Sequence, residues 1–578
     1  MVGTGGVHPD SVCSRAREGS ENSRRLRVAR AWFVPDVALV ASCITLFYCL
    51  FLFQGYQKLF RDSDAGWHIR TGERILATGV LPRTDPYSFT KAGEPWFAWE
   101  WGADIVTGAV HAAWGLAGVA MLYALAIAAG VWLWFRLNWI VNGNFLFASL
   151  LAIPLLSTCN IHWLARPHVF SWLFLLAAML AAHSSWPALG FTRREFWAIA
   201  LFSALWTNIH ASFFFAPLIA AIFALSHFLR PLIWTVDREP EWRRARWFGC
   251  AGLVAALASL VNPYGWQEHI HVFRYVTDSN LLHRVGEFQS FDFQAAGAGQ
   301  ILLAVALASF GGVLALGQKN LAHFLLAVLF VASGLRSARA LPLVALVLLP
   351  LANGAMTRAL AHCPGLRPRL RQAVDGFLAY SDRLRSFDAR MNGLALAPVV
   401  IVGMFALLRM PAVAARTGFP ADQFPVKAAG ELEKLSGGVR LLAPDKFGGY
   451  LIYRFQGRMK VFFDGRSDLY GADFLKRYAR MVQVRPGWDR ELARYDFTHA
   501  LLPDDYSLIP ALEQIGWRVL YRDGTATLLA RPMEIAGLSE YSQHAAKPGT
   551  DGTFSKAENV SSVPGLCRME PPLAGSGY

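Results

Sequence analysis

The feature that most limits what this chain can become is a series of apolar runs long enough to cross a lipid bilayer. A membrane-crossing helix needs about 20 mainly apolar residues. Such stretches lie near 34–56, 112–135, 142–158, 168–184, 195–209, 211–229, 247–262, 297–316, 321–335, 338–352 and 393–409. About eleven transmembrane helices are expected, give or take two, because several stretches are short or closely spaced. The composition agrees, with 54% of 578 residues hydrophobic and 17% charged, where a soluble globular chain carries about 25% charged residues. A disordered chain would lack this apolar content. The net charge of +14 raises the question of nucleic acid, but a nucleic-acid fold has no use for long uncharged runs and 20 tryptophans, so no nucleic-acid partner is expected. Seven cysteines lie scattered without CxxC spacing and indicate neither a zinc site nor a disulfide framework.

Much of the cationic surplus has a topological pattern. Lys and Arg accumulate in short cytoplasmic loops. With the N-terminus inside, the inside segments hold 22 of the 55 basic residues and 11 of the 41 acidic ones, and the outside segments are nearly balanced. An odd number of spans then places the C-terminus outside. The expected protein is multi-pass in the cytoplasmic (inner) membrane. Residues 1–31 form a basic cytoplasmic tail, too long and polar for the n-region of a signal peptide, so no cleavable leader is expected.

The fold class expected is an α-helical polytopic membrane domain over 32–410, with a large outer loop at 57–111, followed by a small α/β extracytoplasmic domain at 411–535. In that domain, short strands are expected at 439–442, 450–453, 460–463, 499–502, 517–521 and 526–530, and helices around 424–436, 472–482 and 508–515. The Gly-, Ser- and Pro-rich stretch 536–578 reads as disordered. There is no fixed-period repeat.

The outer loop opens Arg61-Asp62-Ser63-Asp64-Ala65-Gly66-Trp67-His68. Two carboxylates one residue apart can point the same way from extended backbone and share a cation, Mg2+ or Mn2+. One alone can act as a general base for a hydroxyl acceptor. The competing interpretation is that Ser63 or Asp64 caps an amphipathic helix over 65–78, which Gly79 then stops. Further along come Asp85-Pro86-Tyr87 and Trp96-Phe97-Ala98-Trp99-Glu100-Trp101. Anchoring at the membrane interface is the expected role for most of these aromatics, whereas Glu100 among tryptophans needs a partner.

Other polar residues stand at span ends: His162, Arg166, His168, Asn208, His210, Asn262, Glu287, Arg336 and Arg339. Ionisable groups at such depth are costly and default to function. The topology, derived without them, puts all of them on the outer side. Singly, Asn208 and Asn262 could cap helices and Arg166 could snorkel to lipid phosphate. Together with His68 and Glu100 they outline a cavity with carboxylates on one side and Arg and His on the other. Arginines bind a phosphate or diphosphate through charge-assisted, bidentate hydrogen bonds. A neighbouring carboxylate deprotonates an acceptor or holds a cation. No Walker loop or strand-associated GxGxxG points to a soluble nucleotide.

On these pieces the chain resembles the GT-C superfamily of integral-membrane glycosyltransferases, and more closely a group of bacterial multi-spanning proteins assigned to it. The matching motifs are Asp62 to Gly72, Thr84-Asp85-Pro86-Tyr87-Ser88, Trp96 to Trp101, Arg166-Pro167, Trp206 to His210, Asn262-Pro263-Tyr264-Gly265 and Phe463-Asp464-Gly465-Arg466-Ser467-Asp468-Leu469-Tyr470. They span roughly 34–530. The resemblance implies sugar transfer from a polyprenyl-phosphate or diphosphate donor, with membrane lipid as surroundings and Asp62 or Asp64 as the catalytic or metal-coordinating residue. The chain departs from oligosaccharyltransferases in lacking a Trp-Trp-Asp-Tyr-Gly element, and from protein mannosyltransferases in lacking their first-loop Asp-Glu pair. These departures leave the acceptor open.

Two other classes compete. A transporter or flippase of a lipid-linked or anionic solute could use the same cavity, but the internal repeats and broken midplane helices common in transporters are not evident. A non-catalytic assembly factor could use the 411–535 domain to bind a partner, with Asp464 to Asp468 as a turn held by a salt bridge.

Overall fold

A computed structural model describes residues 32–435 and 438–532; the tails 1–31 and 536–578 lie outside the described residues. The chain is a mostly helical, multi-pass membrane protein. Among the described residues, six helices are long and apolar enough to cross a membrane: Val37–Lys58, Trp101–Ile140, His168–Leu189, Ala211–Ile233, Ala298–Gly317 and Ala338–Ala361. Phe145–Asn160, Leu321–Arg336 and Leu396–Leu408 are shorter apolar helices. The expected span at 195–209 falls in Arg193–Ile209, and that at 247–262 overlaps the second half of Arg238–Ala258 and runs past its end; the first half of this helix is strongly charged.

The longest helix, Trp101–Ile140, breaks at Gly115, whose φ of 64° only glycine adopts without strain. Its first part packs on the helix Asp64–Thr78. The two backbones touch, because a Cβ on Gly72 would overlap the carbonyl of Asp104 and one on Gly108 would overlap Glu73 N. Asp64–Thr78 ends as its sequence demands: Gly79 takes φ 67° and its N–H donates to Ile75 O at 2.8 Å. Ser63 occupies the N-cap position but makes no side-chain cap. Instead Asp62 Oδ1 accepts the Asp64 N–H at 2.9 Å.

The C-terminal sheet has strands β1 (Leu441–Leu442), β2 (His499–Pro503), β3 (Arg518–Arg522) and β4 (Ala526–Ala530) in the order β1-β2-β4-β3. β1 runs parallel to β2, and the other neighbours are antiparallel. Two expected strands are corrected. Residues 450–453 belong to the helix Asp445–Arg454, where Phe447, Tyr450 and Leu451 are buried at helical spacing. Residues 460–463 stay outside the sheet and pair with the first loop. Val461 N donates to Tyr87 O at 3.0 Å, and Phe89 N to Val461 O at 3.1 Å.

That pairing belongs to a larger union. Trp67, Tyr87, Trp96 and Ala98 of the loop share one apolar core with Phe424, Leu441, Phe447, Tyr450 and Leu528. Tyr87 and Trp96 are therefore buried core residues rather than membrane-interface anchors, because the C-terminal domain covers them.

Candidate functional site

The strongest candidate centre forms where the loop leaves the first long helix. Arg61 donates to the carbonyls of Asn160 (2.9 Å) and Ile161 (2.8 Å), and Ala165 N donates to Leu59 O at 2.8 Å. These bonds hold the turn carrying Asp62 and Asp64 against the turn carrying Arg166. The Arg166 guanidinium reaches Asp62 Oδ2 at 2.8 Å through one nitrogen and Asp64 Oδ2 at 2.9 Å through the other. Glu287 Oε1 lies 3.2 Å from the same guanidinium and 3.5 Å from Arg339. Five ionisable residues from four separate parts of the chain thus converge, with three carboxylates facing two guanidinium groups.

Their protonation follows from this imbalance. The Asp64 side chain is 7% exposed and that of Asp62 24%. Burial raises the Asp64 carboxyl to about 8 against the attraction of Arg166, with Asp62 and Glu287 adding to the rise. Glu287 is held well below the usual carboxylate range, since Arg339 and Arg166 outweigh the effect of burial. Burial lowers the His162 imidazole to about 4.

A second layer lies beside this centre. Glu100 Oε1 is 3.2 Å from His210 Nε2, and its Oε2 is 3.5 Å from His68 Nε2. His68 is fully buried and sets Nδ1 2.6 Å from Asp104 Oδ1. Burial holds the His68 and His210 rings well below the usual imidazole range and raises the Glu100 carboxyl to about 7. His210 continues through Ser212 Oγ (2.9 Å) to Ser171 Oγ (2.8 Å). His168 turns Nε2 to the His162 carbonyl at 2.9 Å. These side chains brace the centre from within the protein.

Three expected residues stand apart from it. Asn208 accepts from Trp101 Nε1 at 2.8 Å and donates to the carbonyls of Ala204 and Val261, tying helix ends together. Asn262 closes its own turn, accepting from Tyr264 N at 2.8 Å and donating to Ser259 O at 2.9 Å. Arg336 is exposed.

Sequence reasoning missed Asp104, Glu268 and the second carboxylate partner of Arg466. Glu268 is 1% exposed, and its Oε1 has no hydrogen-bond partner among the described residues. Burial raises its carboxyl to about 8. The expected Asp464–Arg466 salt bridge exists, with both contacts at 2.7 Å, but Arg466 also reaches Asp85 Oδ1 of the first loop at 2.8 Å. The available signal was Asp85 itself, a carboxylate in a loop rich in aromatics.

As for a divalent cation, no group of three or more His, Cys, Asp or Glu side chains is placed to hold one among the described residues. Asp62 and Asp64 direct their oxygens onto a guanidinium that already supplies the positive charge between them. The donor set does not fit a resident metal.

No family model and no curated protein matches the chain. Among solved structures it is similar to the archaeal oligosaccharyltransferase AglB from Archaeoglobus fulgidus in complex with an inhibitory peptide and a dolichol-phosphate, and to the Archaeoglobus fulgidus oligosaccharyltransferase in the apo form. Each of these two likenesses has 11% identity and a TM-score of 0.48 over 81% of this chain and 69% of that one. It is also similar to ArnT from Cupriavidus metallidurans bound to undecaprenyl phosphate, with 16% identity and a TM-score of 0.44 over 89% of this chain and 99% of that one.

Proposed function

We propose that the chain is a membrane glycosyltransferase that moves a sugar from a polyprenyl-phosphate or diphosphate donor to an acceptor at the outer face of the membrane. The observation that carries this reading is the convergence of Asp62 and Asp64 on the Arg166 guanidinium. The acceptor hydroxyl attacks the anomeric carbon, the bond from that carbon to the phosphate oxygen breaks, and the lipid phosphate departs with the electron pair. The hydroxyl proton passes to Asp62 or Asp64. Asp64, raised to about 8, has the proton affinity a general base needs near neutral pH, and Asp62 is the more accessible.

The same ion pairs couple the two halves of the reaction. Once Asp64 is protonated, Arg166 loses a counter-charge and becomes free to receive the negative charge of the leaving phosphate. Arg339 stands beside it, and exposed Arg336 offers a further guanidinium to the lipid headgroup. The membrane domain 32–410 would then present its 57–111 loop and the 411–535 domain outward, with the N-terminus inside.

The test is transfer of radiolabel from polyprenyl-phosphate hexoses in membranes carrying Asp62→Asn or Asp64→Asn. Removing the general base should cost about 10²–10⁴-fold in rate in at least one variant. Unchanged transfer in both, at normal expression, overturns the assignment. For sidedness, Ala92→Cys should label from outside and Ala379→Cys only after permeabilisation.

A further inference from the structure

Resting on that reading, we propose that the C-terminal domain is a working part of the reaction centre: its Asp464–Arg466 turn, locked to the first loop through Asp85, is the positioning element that holds the Asp64 carboxylate.

Gly465 is the point of contact between the turn and Asp64. A Cβ there would overlap Asp64 Oδ1, so the glycine backbone lies directly against the carboxylate. Arg166 holds one Asp64 oxygen, and the turn backs the other. The backbone around the helix start leaves little room for movement. A Cβ on Gly66 would overlap the Gly449 carbonyl, and one on Gly449 would overlap the Ser63 carbonyl. A Cβ on Gly448 would overlap the Phe463 carbonyl, one residue before the turn. The helix Asp445–Arg454 is therefore wedged between the residue preceding Asp64 and the segment that delivers Gly465.

What fixes the turn is Arg466, 3% exposed. Its Nε and one terminal nitrogen each lie 2.7 Å from Asp464, and that terminal nitrogen is 2.8 Å from Asp85. Its guanidinium lies over the rings of Trp96 (4.6 Å) and Tyr87 (5.3 Å). Asp464 also accepts Tyr470 Oη–H at 3.0 Å, while Asp85 accepts the N–H groups of Tyr87 and Ser88 at 3.1 and 2.9 Å. A buried cation shared by two buried, hydrogen-bonded carboxylates is costly to build for fold stability alone. Here it joins the loop carrying the candidate base to the domain that backs it.

The test uses the full chain in detergent with Gly465→Ala, Arg466→Lys and Asp85→Asn, and Arg522→Ala as a control whose ion pairs lie elsewhere in the same domain. Two readouts are made: carbodiimide footprinting of Asp64 by mass spectrometry, and transfer kinetics with polyprenyl-phosphate hexoses. In the native chain and the control, Asp64 should resist labelling. In the three variants labelling should rise several-fold, and kcat should fall by roughly 10²-fold, the scale of a misplacement near 1 Å, while KM for the lipid donor stays within about twofold. Arg466→Lys keeps the charge and all backbone atoms, so it decides the matter if Gly465→Ala does not fold. Asp64 freely labelled in the native chain, or variants that leave labelling and kcat unchanged, overturns the proposal. Increased labelling in variants of a chain that transfers no sugar would sustain the positioning and sink the glycosyltransferase reading.

Discussion

The two ends of the helical bundle balance buried charge differently. At the end away from the loop, Asn353 accepts from Asn144 N at 2.9 Å and donates to Asn138 Oδ1 at 2.8 Å and Asn144 O at 3.0 Å. Asn144 Oδ1 caps the next helix through Leu146 N and Phe147 N. Asp36 caps its own helix and pairs with Arg136 at 2.6 Å. The three asparagines there satisfy one another as a lock, and the Asp36–Arg136 pair balances its charge, although Arg136 Nε has no hydrogen-bond partner among the described residues. At the loop end three carboxylates face two guanidinium groups, and His68 Nε2, Asp104 Oδ2 and Glu268 Oε1 have no hydrogen-bond partner among the described residues. A buried polar group left unmatched lowers stability. The excess of carboxylates over guanidinium groups suits the proposed centre, which exchanges protons and accepts an anion.

The contrast can be broken most sharply at Arg166. Arg166→Ala leaves Asp62, Asp64 and Glu287 facing one another with only Arg339 nearby, and should cost about 3–5 kcal/mol of stability. Thermal unfolding in detergent should drop strongly at pH 8 and recover in part at pH 5, where the carboxyls take up protons. At the opposite end, Asn353→Ala removes a satisfied hub and orphans groups on Asn138 and Asn144, a loss of roughly 2–3 kcal/mol. Below its melting temperature that variant should transfer sugar as the native chain does, and a selective loss of kcat would erase the distinction between the two ends.

Glu268→Gln should move stability the other way. The folded chain holds on Glu268 a proton that the unfolded chain releases, so stability falls as pH rises from 4.5 to about 8. The amide removes that dependence. A gain on the order of 2 kcal/mol is expected at pH 8 and essentially none at pH 4, and equal melting shifts at both pH values would contradict it. The smallest effect belongs to Asn262→Ala, which loosens a turn by about 1 kcal/mol. Its kcat should be unchanged, since Asn262 bonds only within its own turn.

How far the site could be read in advance depended on where each residue sits along its element. Asp62, Asp64, Arg166, Glu287 and Arg339 are charges at the edges of apolar runs, where a hydropathy reading exposes them. Asp104 lies one turn inside a long helix and reads as one polar residue in a helical face, although it pairs with His68 at 2.6 Å. Residues 450–453 misled because a short run of aromatic and branched side chains suits strand and helix alike. Only Gly448 and Gly449, needed for close approach to Ser63 and Phe463, hint at a packed helix.

By itself the sequence determined that this chain is a multi-pass membrane protein, because apolar length and charge placement are local properties read in order along the chain. It also marked the ionisable residues that such a chain carries at a cost. The tertiary structure alone decided which of them meet. Asp62, Asp64 and Glu287 reach Arg166 from two separate segments, Arg339 joins from a third through Glu287, and Arg466 reaches Asp85 across 381 positions of sequence. Such meetings depend on how helices cross and loops close, a long-range outcome that no local pattern of residues encodes.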